Sequence, residues 1–215
     1  MPRFSHLFLP MAVTLGLATG ASHAAVVSVE VGTPHFADGA IVGSGTFFGA
    51  VSGQPAPFNT FAGGDVAGPD FIAIWTLEFT PPATIQSAWV ELGIYDHDTQ
   101  ASGNQVAEFA VSSIVLTAEA SAVMEARGGA SGEYNIYTIP LPSTVFPSLA
   151  TGSATFSLIL RAPGLGVLGE TAGNGAGLDF VRLSVSDVIP EPSAGLLLCA
   201  AGIGGLVRRR RSHDT

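Results

Sequence analysis

Two stretches in the last third of the chain alternate apolar and polar residues with a period of two, and this limits the fold more than any other feature. ATFSLILRA puts Phe156, Leu158 and Leu160 on one face and Ser157, Ile159 and Arg161 on the other. FVRLSVSDV likewise sets Val181, Leu183 and Val185 against Arg182, Ser184 and Ser186. Successive side chains of a strand point to opposite faces, so runs of this kind are strands with one buried face. Further runs occur at Val26 to Val31, Ile72 to Phe79, Ala88 to Tyr95, Val106 to Thr117 and Tyr134 to Ile139. Together they make about seven strands.

Only Thr117 to Arg127 predicts a helix: Thr117 is the candidate cap, Val123 and Arg127 lie a turn apart, and Gly128-Gly129 would stop it. A parallel sheet needs helices between its strands, and none are available. The expectation is therefore an all-β body, an antiparallel β-sandwich of jelly-roll type with one short helix. The Gly- and Pro-rich stretch from Gly43 to Asp70 reads as a strand followed by a long surface loop, pinned by Phe47, Phe48, Phe58 and Phe61. Composition agrees. Charged residues are 12% of the chain, against about 25% ordinarily, glycines number 27, and lysine does not occur.

Both ends depart from this pattern. The first residues carry a basic region at Arg3, an apolar region from Leu7 to Ala18, and the small-residue site Ser22-His23-Ala24. That is the layout of a secretory signal peptide cut between Ala24 and Ala25. At the other end, Ala194 to Val207 is uncharged and is followed by Arg208, Arg209, Arg210 and Arg211. A helix over those roughly 14 residues spans about 21 Å, shorter than the roughly 30 Å hydrocarbon core. Snorkelling arginines and local thinning reconcile the two lengths, and the arginines keep their end cytoplasmic. Ala200 and Gly204, like Ala201 and Gly205, repeat at the four-residue spacing that lets membrane helices approach closely. The chain thus divides into a signal helix over 1–24, a body over 25–188 and a tail with a membrane helix over 189–215.

The tail has three parts in order: Pro190-Glu191-Pro192-Ser193, a short apolar helix, and the arginine cluster Arg208 to Arg211. In this it resembles the PEP-CTERM sorting signal of Gram-negative bacterial surface proteins. The resemblance covers only Ile189 to Thr215. It implies recognition by a membrane-embedded exosortase, membrane attachment through the C-terminal helix before processing, and delivery to the cell surface or to an exopolysaccharide and biofilm matrix. It implies nothing about the fold of the body. Pro190 and Pro192 keep the motif extended, as a processing cleft requires.

The body carries three arginines against 15 acidic residues, a net charge of about −12. Such a surface repels nucleic acid and anionic lipid, and it suits divalent cations or neutral partners. The single cysteine, Cys199, lies in the tail, so the body has no disulfide.

The most pointed chemical feature is ELGIYDHDTQASGN. Val90, Leu92 and Ile94 share one phase of a strand, and Asp96 and Asp98 follow in that phase, with Thr99 and Asn104 nearby. Two carboxylates and neutral oxygens are the hard ligands that Ca²⁺ prefers, with Asp179 as a distant third. A polar turn with Asp capping backbone amides reads the same residues equally simply, and the EF-hand spacing is not met. His35 and His97 are the body's histidines; His97, between two aspartates, is the candidate base. No G-x-S-x-G, H-E-x-x-H or C-x-x-C occurs, and catalysis is not expected. Trp75, Trp89, Tyr95, Tyr134 and Tyr137 are candidates for stacking on sugars, although Trp75 and Trp89 lie within strands, where a core role competes. The expected function is a structural or interaction module of the extracellular matrix. A carbohydrate-binding module with structural calcium is the alternative, and a hydrolase comes third.

Overall fold

A computed structural model describes residues 25–62, 70–97, 105–127, 130, 132–161 and 176–188. The signal segment before Ala25, the tail from 189 onward with Pro190, Glu191, Pro192 and Arg208 to Arg211, and the loop holding Asp98, Thr99 and Asn104 lie outside them. Among the described residues, no helix is long and apolar enough to cross a membrane.

The strands are β1 (Val26–Gly32), β2 (Ala40–Ile41), β3 (Phe61–Ala62), β4 (Phe71–Glu78), β5 (Ser87–Tyr95), β6 (Val106–Val111), β7 (Ile114–Val115), β8 (Glu133–Pro140), β9 (Ser153–Leu160) and β10 (Ala176–Ser186). They form two antiparallel sheets. One has the order β1-β10-β5-β8-β2, with β3 also pairing to β10 where β1 has ended; the other has the order β4-β9-β6-β7. Period-two alternation turns one face of each sheet inward, so that Val90, Leu92 and Ile94 of β5 meet Trp75, Phe156 and Leu158 of the opposite sheet in one core cluster. The alternating runs read from the sequence are the strands observed, most of them within a residue or two at their ends. Two differ: β10 begins at Ala176, four residues before the run read from Phe180, and Val106 to Thr117 reverses at Ser112 and Ser113, both at positive φ (48° and 70°), so that run is the β6-β7 hairpin.

Among the described residues, three α-helices interrupt the sheets, where one was expected: α1 (Ser44–Val51), α2 (Thr117–Met124) and α3 (Phe146–Leu149). The expected helix is α2, but Thr117 does not cap it. Leu116 holds the cap position, and the Thr117 hydroxyl accepts the Phe109 N–H of β6 at 3.1 Å. Helix α1 replaces the strand expected after Gly43. It has no side-chain cap and includes Gly45 and Gly49, so its own sequence favours helix weakly. Burial of Phe47 and Val51 supplies what propensity lacks.

Those two residues belong to a second cluster on the outer face of the larger sheet, with Val42, Tyr95, Tyr134 and Phe180. Phe47 stacks on Tyr95, with ring centroids 4.5 Å apart. The excursion from Thr33 to Phe61 therefore covers one end of that face; toward the other end, Ser184 and Ser186 of β10 are also buried. At the far end of β1 and β10, the Ala25 N–H donates to Asp187 Oδ1 at 2.9 Å and the Asp187 N–H donates back to the Ala25 carbonyl at 3.3 Å.

Candidate functional site

Asp179 sits where β10 loses register with β5. Leu178 pairs with Ile94 and Phe180 with Gly93, so Asp179 is the additional residue of a β-bulge. A bulge re-aims side chains, and here Asp179 and Phe180 both turn to the outer face, under the excursion that follows β1. Gly32 makes this approach possible: its φ is +78°, and a Cβ there would overlap the Asp179 carbonyl.

The Asp179 side chain is fully buried, yet its carboxylate meets four donors. Oδ1 accepts from His35 Nδ1 at 2.7 Å and from Gln54 Nε2 at 3.2 Å. Oδ2 accepts from the His35 backbone N–H at 2.9 Å and from the Tyr134 hydroxyl at 2.9 Å. A carboxylate has about four lone-pair sites, and all are engaged. Leaving such a charge unpaired in the interior costs several kcal/mol, roughly, which the converging donors offset. A carboxylate can only accept, so His35 presents Nδ1–H to it. Burial, and then the Asp179 charge, push the Tyr134 phenol far above its ordinary range, so it remains a donor.

The Asp179 oxygens tie the excursion and β8 to the bulge; Asp98, named with it as a calcium ligand, lies outside the described residues. Asp96, with φ 61°, breaks the strand phase rather than continuing it, and its Oδ1 accepts the Gly132 N–H at 2.6 Å. That is the turn-forming role open to it from the start. Among the described residues, no group of three or more His, Cys, Asp or Glu side chains could hold a metal ion. His97 is 1% exposed, with its ring edge-on to Tyr137 at 5.8 Å. His35 is joined to the Asp179 carboxylate, a pairing the sequence does not suggest. The partners are 144 residues apart, so no local spacing announces them.

Among the aromatic candidates, Tyr95, Tyr134 and Tyr137 are buried, and Trp75 is buried against Phe156, with ring planes 3° apart. Trp89 alone is half-buried, on the outer face of β5. No protein-family model matches the chain, and no curated protein matches it significantly.

Proposed function

We propose that the chain is an exported bacterial surface or matrix protein: a jelly-roll module carried between a cleaved signal peptide and a PEP-CTERM-like tail that an exosortase-type enzyme processes in the membrane. The body works as a structural or interaction module rather than as a catalyst.

The observation that carries this reading is the contact of Ala25 with Asp187. Ala25 is the first residue after the expected cut, and Asp187 stands three residues before Pro190. Among the described residues, the first strand begins at Val26 and the last ends at Ser186, and Ala25 and Asp187, next to the expected boundaries, meet at one corner of the body, which supports the reading. The jelly-roll assignment draws on strand order: β1-β10-β5-β8 in one sheet faces β4-β9-β6-β7 in the other, and the chain passes repeatedly between sheets, as eight strands wound through two Greek keys would. In this reading the Asp179 cluster holds the excursion in place.

Protease treatment of intact cells tests the proposal. The body should be cut or released from the surface or matrix of intact cells, and a chain lacking 189–215 should lose that attachment while still leaving the cytoplasm. A protease-resistant chain in the cytosol, starting at Met1, would refute it.

A further inference from the structure

The end of the larger sheet's outer face away from the Asp179 cluster carries two adjacent rows. Ser184, Trp89 and Pro140 are in register across β10, β5 and β8, and Arg182, Glu91 and Thr138 form the next row on the same face. Rows on one face are about 7 Å apart and neighbouring strands about 4.8 Å, so the indole lies beside these polar groups. Arg182 is fixed between carboxylates, 2.6 Å from Glu30 and 3.1 Å from Glu91, with its guanidinium 5.5 Å from the centre of the Phe180 ring. Tyr134 and Phe180 crowd over Gly93 on this face, and Ser184 in the row of Trp89 is buried. Beyond them, Trp89 is half-buried and Thr138 is exposed.

We infer that Trp89 is the stacking platform of a binding site for a neutral polysaccharide, with Arg182, Glu91 and Thr138 bonding the hydroxyls of the ring that packs on the indole. This rests on the reading of the body as a matrix interaction module and names the partner of that module. The chemistry selects the class. A sugar ring offers C–H groups to an aromatic face and hydroxyls, both donors and acceptors, around its rim. A protein partner would have to desolvate the Glu30, Arg182 and Glu91 charges beside one aromatic ring, whereas protein interface cores are depleted in charge. A polyanion would meet a patch of net negative charge on a body of about −12.

The test is native electrophoresis of the full chain in mild detergent, through gels containing dextran, a soluble β-glucan or hydroxyethylcellulose, with alginate as the polyanion. At least one neutral polysaccharide should retard the chain. Trp89→Ala should weaken that retardation at least tenfold, with Trp89→Phe and Thr138→Ala intermediate. The inference is overturned if no neutral polysaccharide retards the chain, if alginate alone does, or if a folded Trp89→Ala chain is retarded like the wild type. Should Trp89→Ala not fold, Trp89→Phe and Thr138→Ala decide: undiminished retardation in both overturns the site. Surface localisation is read separately, so a chain that reaches the surface but is not retarded refutes this site alone.

Discussion

The Tyr134 hydroxyl crosses over β5 to reach the Asp179 carboxylate at 2.9 Å, and the residue it passes is Gly93. A Cβ at Gly93 would overlap both that hydroxyl and the Phe180 ring. One absent side chain thus lets strands on either side of β5 share a hydrogen bond.

Gly93→Ala should therefore destabilise the fold by about 1–3 kcal/mol, the usual range for overpacking, read from the denaturant midpoint. Tyr134→Phe should cost about 1.5–3 kcal/mol, since the lost bond is to a charged group. In the Tyr134→Phe background Gly93→Ala should cost less, because one of its two overlaps has gone. Strict additivity would contradict this geometry.

Burial raises the phenols of Tyr134 and Tyr137 far above the ordinary range. A raised folded value means stability that is full below the unfolded phenol range and is lost as pH climbs past it. Tyrosinate absorbance from these two rings should appear only together with loss of near-ultraviolet circular dichroism. Ionisation of both in a still-folded chain would contradict their burial.

Asp38 and Glu125 should bend the acid limb of the stability curve in opposite directions. Burial alone would raise Asp38, but the Ile136 N–H and the Arg127 guanidinium outweigh it and hold the carboxyl low. Its contribution is present above the unfolded aspartate range and disappears as pH falls through the folded value. Burial raises Glu125, against the opposing Gln105 and Val106 amides; its protonated form is favoured in the fold, so that contribution is lost as pH rises through the raised value. Asp38→Asn should lose stability near neutrality and match the wild type in acid. Removing the Glu125 charge with Gln should narrow the gain the wild type shows on mild acidification. Both are read by denaturant titration across pH, and the Asp38 effect should be small because the pair is partly exposed.

Strands β4 and β9 could be read directly because each buries one face, and burial writes itself into the sequence at period two: Phe156, Leu158 and Leu160 predict themselves. Helix α1 could not, because Gly45 and Gly49 argue against helix and what stabilises it, the Phe47 contact with Tyr95, joins distant segments. Asp179 shows the same limit at the candidate site. Its place near the start of the last strand was visible, but the bulge that turns it toward His35 arises from the pairing of β10 with β5, which no stretch of sequence contains. For Trp89, strand position was legible and face was not, since an indole suits core and surface alike.

Cleavage after Ala24 would turn the Ala25 N–H donor into an ammonium facing Asp187 Oδ1. A chain beginning at Ala25 should then be more stable than one extended at its N-terminus, by up to about 1 kcal/mol for an exposed pair. The difference should vanish in Asp187→Asn and should fade as pH rises through the α-amino range near about 8. Equal melting temperatures for the two chains would count against the pair.

The intact mass of the protein recovered from the cell surface tests the central claim most directly. The recovered chain should begin at Ala25 and end near Pro190 to Ser193, without the apolar helix and Arg208 to Arg211. A surface pool that retains Met1 or the whole arginine cluster would contradict it.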